Sequence, residues 1–197
     1  MFVRLYKSKK ANVLSTLTFN DAAMWGADTF VGVMIALFIT LNIEGGSAIH
    51  VGLAYGLYRI VRAMTAIPIG TFLDKNRGHV DEYYTLFLSG LIVASSYFWL
   101  FFSTEIWHVY VGMLGVALGH ALDVTAWKIL FYGNLPKESE GAIIGVYETI
   151  MQISYGLATI IAGFVGDYYG FEWIFFVGGV VTILSSVILL SIRGQQI

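Results

Sequence analysis

Six stretches of the chain are almost continuously apolar, and short polar breaks separate them: residues 18–41, 47–72, 83–103, 106–131, 141–166 and 173–192. A helix needs about 20 apolar residues to cross the hydrocarbon of a bilayer, and a barrel strand only about 10, so these lengths predict six transmembrane helices. The breaks have turn chemistry: Asn-Ile-Glu-Gly-Gly at 42–46, Asp-Lys-Asn-Arg-Gly at 74–78, Ser-Thr-Glu at 103–105, Gly-Asn-Leu-Pro-Lys-Glu at 133–138 and Asp-Tyr-Tyr-Gly at 167–170. Basic residues precede the first run, but it is too long for a signal peptide and lacks a small-residue cleavage site, so it is expected to stay as an anchor.

Composition agrees with the pattern. Of 197 residues, 57% are hydrophobic and 12% charged, with a mean hydropathy of +0.75, whereas a soluble domain is roughly 25% charged. Six crossings consume most of the chain and leave no room for a soluble domain, so an all-α membrane protein is expected, with residues 1–197 forming a single six-helix transmembrane domain. There is no cysteine, which removes disulfides, thiolate metal sites and cysteine nucleophiles. A net charge of −2 points to no nucleic-acid partner.

Orientation follows from the basic residues near the helix ends. Arg4, Lys7, Lys9, Lys10, Lys75, Arg77, Lys137 and Arg193 fall on one side, and the other side holds only Glu44, Glu105, Asp167 and Glu172. Both termini are therefore expected in the cytoplasm, with the plasma (inner) membrane as the location.

The remaining charges lie within spans: Asp21, Asp28, Arg59, Arg62, Asp123, Lys128 and Glu148 occupy spans one, two, four and five. Spans three and six carry none and are expected to face lipid. The chain thus reads as two triplets, about 16–104 and 105–193. Gly70-x-x-x-Asp74 closes span two and Gly163-x-x-x-Asp167 closes span five, while Asp28 in span one is matched by Asp123 in span four. Three is odd, so the second triplet crosses in the opposite sense to the first, and the pattern predicts two inverted three-helix repeats.

These residues resemble one half of a major facilitator superfamily transporter. The superfamily's loop between helices two and three carries a Gly, an Asp four residues on, a basic residue and a second Gly; here it reads Gly70-Thr-Phe-Leu-Asp74-Lys75-Asn-Arg77-Gly78. The second Gly is one position late, and His79 stands where an Arg or Lys is usual. Residues 162–176 also resemble the turn between the fifth and sixth helices of that family. The resemblance implies a six-helix bundle forming one wall of a central cavity, so two copies are expected to pair in parallel as a homodimer. It also implies that helices one and four line the cavity, that helices two and five flank it and meet counterparts across the bundle interface, and that Asp74 acts as a gate residue, with Gly70, Lys75, Arg77 and Arg62 joining it in gating.

A charge at the bilayer centre costs about 2.5–3.5 kcal/mol on insertion scales, so each intramembrane charge is a functional candidate. Asp28 and Arg59 lie near the middle of their spans and either pair across spans one and two or line the cavity. Tyr55, Arg59 and Arg62 share one face of span two, with Tyr58 close to it. Span four presents His120, Asp123 and Trp127 on one face. A His–Asp pair lacking a third ligand is a poor metal signal, so no metal and no cofactor is expected; a carboxyl that takes up and releases a proton fits better, because burial disfavours the charged form. Trp127 either offers a flat apolar face to solute or packs between helices. On span five, Glu148, Gln152, Tyr155 and Thr159 form a polar stripe, and Glu148 pairs with Arg62 or Lys128, within the chain or across a dimer. Gly52/Gly56, Gly115/Gly119 and Gly141/Gly145 have the spacing that lets helix backbones approach closely.

The reading that joins these features is a secondary active transporter, not an enzyme, moving a small organic solute by alternating access with coupling to protons. Asp28, Asp123 and Glu148 are the candidate proton carriers; Trp25, Arg59, His120, Trp127, Gln152 and Tyr155 are the candidate solute contacts. Hydroxyls, carbonyl groups and aromatic faces suit a sugar-like or amphiphilic solute. The alternative is a six-helix subunit of a heteromeric transporter or a nontransporting assembly protein. An intramembrane serine protease fits poorly, because Ser95, Ser96 and Ser154 lack a Gly-x-Ser-x-Gly setting and His120 has no serine mate.

Overall fold

The computed structural model describes residues 9–75 and 80–189. Seven helices occur among the described residues: α1 (Lys9–Gly32), α2 (Ile35–Asn42), α3 (Ala48–Asp74), α4 (Val80–Phe101), α5 (Ile106–Asn134), α6 (Glu140–Tyr169) and α7 (Glu172–Leu189). Apart from an earlier start for the first span, the described ends agree with the apolar pattern to about three residues. Arg4, Lys7 and Arg193, on which the orientation partly rests, lie outside the described residues, as do Arg77 and His79.

Helices α1 and α2 together make one crossing, Ala11–Asn42, interrupted at Val33 and Met34. There the Met34 amide bonds back to the Val31 carbonyl at 3.1 Å, a tightened turn, and the Tyr55 hydroxyl donates to the Gly32 carbonyl at 2.7 Å. The apolar pattern runs straight through this break and gives no sign of it. Including that crossing, five described segments are long and apolar enough to span a membrane. The sixth, α3, has the length at 27 residues but carries Arg59 and Arg62 near its middle.

The main helix pairings are α4 with α5, α4 with α7, α3 with α5, α1 with α7 and α1 with α6. Exchanging the first triplet for the second turns α1–α6 into α5–α3 and α1–α7 into α5–α4, and leaves α4–α7 unchanged. This set of contacts is consistent with two inverted three-helix repeats. The backbones meet closely where glycine permits. A Cβ added to Gly119 would stand 2.5 Å from a Val93 methyl and 3.0 Å from the Ser89 carbonyl oxygen, and one on Gly178 2.8 Å from a Val31 methyl.

Two expectations change. Of the three spaced glycine pairs, only Gly115/Gly119 lies against another helix; a Cβ on Gly52, Gly56, Gly141 or Gly145 would meet nothing within 4 Å. Spans three and six are also not simply lipid-facing, because α4 and α7 pack on each other as well as on α5 and α1. The barest helix is α6, with 17% of its apolar stretch buried against 56% for α5. Lack of charge says that a helix tolerates lipid, not which of its faces is covered.

Candidate functional site

The three helical segments that carry most of the intramembrane charge, α1, α3 and α5, bring it to one place. Asp28 on α1 accepts a hydrogen bond from Tyr97 of α4 at 2.9 Å, and its Oδ1 lies 3.6 Å from Nε2 of His120 on α5. His120 Nδ1 is 2.9 Å from the Tyr58 hydroxyl, and Arg62 Nη1 donates to that same oxygen at 2.8 Å. Arginine has only donors, so the Tyr58 oxygen accepts from Arg62 and can give its own proton to Nδ1. The neutral His120 then carries its hydrogen on Nε2, which is buried and makes no hydrogen bond, with the Asp28 oxygen 3.6 Å away. A doubly protonated His120 would instead donate from Nδ1, and Tyr58 would have to turn its hydrogen elsewhere.

Stacking orders the same groups. The Trp25 ring lies on His120 with centroids 4.6 Å apart, and the Arg62 guanidinium sits 5.0 Å from the Trp25 centroid on the cation–π side. The Trp25 indole N–H donates to Asp123 at 3.1 Å, with Ser89 of α4 at 3.5 Å from the other carboxyl oxygen. Asp123 and His120 are wholly buried, whereas the Asp28 side chain keeps 28% of its surface exposed. Asp21, also buried, accepts a hydrogen bond from Tyr147 of α6. Each such bond to an ionised carboxyl is worth about 1.5–3 kcal/mol and offsets part of the cost of burying it.

Two cavities flank the Trp25–Arg62 wall, which lines both. One of about 160 Å³ is lined by Asp28, Tyr55, Tyr58, Arg59 and Tyr97, beside the helix break at Gly32. The other, about 260 Å³, is lined by Asp21, Asp123, Trp127, Lys128, Tyr147 and Tyr155. Asp28 and Arg59 therefore share a cavity without pairing: among the described residues the only ion pair is His120 with Asp28.

Of the expected proton carriers, Asp28 and Asp123 sit in this network, while Glu148 is exposed on α6 with no ion pair among the described residues. Of the expected solute contacts, Trp25, Arg59, Trp127 and Tyr155 line the cavities and His120 lies behind Trp25; Gln152 is exposed on α6. Trp127 is largely buried, stacked on Phe131 and near Tyr147. Among the expected gating residues, Gly70 faces Thr125 of α5, Asp74 and Lys75 are exposed at the end of α3, and Arg62 is part of the wall. Asp21, Tyr97, Tyr147 and Ser89 were not singled out as site residues. Asp21 could have been found by the rule that an intramembrane acid needs a partner; the tyrosines and serine carry no comparable signal.

A discontinuous helix beside a buried polar cluster, in a bundle whose pairings are consistent with inverted repeats, is the architecture of membrane transport folds. The family profile of the Major Facilitator Superfamily matches residues 16–195, and the chain belongs to that superfamily. It is an integral, multi-pass membrane protein. It is 22% identical over 160 residues to an uncharacterized MFS-type transporter of Methanocaldococcus jannaschii, a match covering 81% of this chain and 40% of that protein. In fold it is similar to the crystal structure of the peptide transporter POT in complex with alafosfalin, with a TM-score of 0.75, 19% identity, and coverage of 93% of this chain and 38% of that one. The chain thus spans about two fifths of the length of both relatives.

Proposed function

We propose that this six-helix bundle forms one wall of a secondary active transporter that moves a small organic solute by alternating access and is coupled to protons. The observation that carries the reading is the cluster Arg62–Tyr58–His120 and Tyr97–Asp28 across four helices, two hydrogen-bonded groups that meet where His120 Nε2 lies 3.6 Å from Asp28. A cluster of this kind is costly in a membrane unless it handles charge. A proton gained by His120 would reverse the hydrogen bond to Tyr58 and so reorient the group that Arg62 leans on, which ties protonation to the cavity wall. Asp123, held by Trp25 on the other side of that wall, is the second carrier, and Glu148 a third if a neighbouring bundle covers it. A sugar-like or amphiphilic solute suits the phenols and indoles.

The opposing wall comes from a second copy, paired in parallel. Supporting this, α6 exposes Glu148, Gln152 and Thr159 together with Leu157 and Ile160, and the glycines of α3 and α6 at 52, 56, 141 and 145 have open space before them. Polar groups at membrane depth call for an aqueous cavity or a polar partner. In this reading both termini lie on the cytoplasmic side of the plasma (inner) membrane, the side on which the basic residues gather.

Native mass spectrometry of the protein in nanodiscs tests the assembly. A dimer is expected. A monomer would overturn the homodimer and direct the search to a different six-helix partner. Proton flux in liposomes tests the activity: a solute that acidifies the lumen in the wild type and fails to do so in Asp28→Asn supports coupling, and equal flux in both removes it.

A further inference from the structure

We propose that the solute carries an anionic oxygen head, a carboxylate, phosphate or sulfonate, and that Arg59 and Arg62 of α3 hold it. The inference rests on the transport reading, and the site stands on the position of the two arginines and on their unfilled donors. Guanidinium groups stay charged at every working pH. An arginine at membrane depth faces the bundle interior or a watery cavity and pairs with another charge or with backbone carbonyls. Here neither Arg59 nor Arg62 lies within 4.0 Å of a carboxylate among the described residues. Among the described residues Arg62 makes one hydrogen bond, to a neutral phenol, and rests on an indole face; Arg59 is exposed, with the Tyr58 ring 5.5 Å from its guanidinium carbon.

The nearby acids have hydrogen-bond partners of their own, and none lies within 4.0 Å of either guanidinium. Asp28 is engaged by Tyr97 and His120, Asp123 by Trp25 and Ser89, and Asp21 by Tyr147. The smaller cavity, which both arginines line, contains one carboxyl, Asp28; Asp21 and Asp123 line the larger one on the other side of the Trp25–Arg62 wall. Glu148 is the obvious acid for a second copy to offer, and its depth is wrong for Arg59. Arg59 lies fifteen residues from the Asp74 end of α3, and Glu148 only eight from the start of α6 at the same membrane face. At a rise of 1.5 Å per residue these are depths of about 22 and about 12 Å. Arg62, twelve residues from that end, lies about 18 Å deep, and Lys128, six residues from the end of α5, matches Glu148 more closely.

Geometry adds specificity. Arg59 and Arg62 are three apart on one helix face, and four of the five Arg62 N–H donors have no hydrogen-bond partner among the described residues. A planar fork of that kind takes two oxygens of one anion at once, which a neutral sugar cannot match in charge. Tyr55 and Tyr58 supply an aromatic border to the same cavity.

The test is equilibrium binding to the purified chain in nanodiscs, read by thermal shift and by titration calorimetry, with benzoate, lactate and methylphosphonate as anionic probes and benzamide and methyl glucoside as neutral ones. At least one anion is expected to bind saturably, with affinity falling more than tenfold in Arg59→Gln and in Arg62→Gln, and partly restored in Arg62→Lys. Lys137→Gln, a charge change in an exposed loop, should move affinity by less than twofold. Should a glutamine variant fail to fold by circular dichroism, the corresponding lysine variant must still weaken phosphonate more than lactate. Neutral probes binding as well as anions, no anion binding at all, or unchanged anion affinity in folded glutamine variants would overturn the proposal. Liposomes separate it from the reading it rests on: anion binding without proton-linked flux would leave the site and remove the transporter, whereas proton-linked uptake of a neutral solute alone would do the reverse.

Discussion

Asp28 and Asp123 hold matching places in the two triplets, yet the fold treats them differently. Asp28 opens onto a cavity with 28% of its side chain exposed, takes a proton donor from Tyr97 and faces an imidazole. Asp123 is wholly buried on the far side of the Trp25 ring and is held by an indole N–H and a hydroxyl. The two triplets supply two carboxyls at mid-membrane; neighbours from other helices then leave one partly exposed beside the smaller cavity and bury the other against the larger. A repeat fixes where a group sits along a helix, and the partner helices decide what that group can do.

The sharpest way to break this comparison is to neutralise each acid in place. Asp28→Asn and Asp123→Asn are both expected to abolish pH-gradient-driven accumulation while sparing solute exchange, and only Asp28→Asn should also change solute affinity, by more than fivefold. Transport and binding measured side by side check this, and intact accumulation in both variants would remove both acids as carriers. Next in size is packing. Gly119→Leu places a side chain into Val93 and the Ser89 backbone beside Asp123, and a loss of about 2–3 kcal/mol is expected for such overpacking. Gly52→Leu in the other triplet meets open space, so its folding stability should move by less than about 0.5 kcal/mol while dimer content falls. Denaturation in detergent and mass in nanodiscs read the two effects separately.

Tyr58→Phe removes the bridge between Arg62 and His120 and leaves the Trp25–Asp123 bond alone. A roughly tenfold drop in proton-linked rate is expected, matching the loss of one buried hydrogen bond of about 1–1.5 kcal/mol. An unchanged rate would dissociate His120 from coupling. The smallest effect concerns the helix ends. Asp74→Asn should fold normally and shift the balance of inward and outward states by a few-fold, and the matching Asp167→Asn should shift it less; cysteine accessibility labelling from both sides measures this, and no shift in either would end the gate assignment.

Much of this was legible along the chain, and the limits have physical reasons. Six apolar segments of helix length and the spacing of Asp28, Asp123, Asp74 and Asp167 are one-dimensional features, since hydrocarbon thickness and helix rise convert directly into residue counts. That Asp28, Arg59 and Asp123 need partners or a cavity was readable, because a mid-membrane charge must find company; that Asp28 meets His120 of another span was not. Tyr97 and Tyr147 were not readable, since each reaches its acid across 69 and 126 residues of sequence, and a tyrosine in an apolar helix packs as readily as it donates. The break at Val33 and Met34 has no proline and follows an ordinary apolar run; the Tyr55 hydroxyl on the Gly32 carbonyl is a contact from another helix.

The same division holds for glycine and for charge. Spacing alone establishes a membrane-embedded helical bundle with carboxyls and guanidinium groups at mid-depth, because solvent, length and periodicity act on each helix separately. Which Gly-x-x-x-Gly is pressed against a neighbour, which acid lines which cavity and which arginine lies beyond 4.0 Å of a carboxylate depend on how six crossings lie side by side. Those outcomes belong to the tertiary structure, since distances of a few ångströms between helices set every one of them and no single helix encodes its neighbour's position.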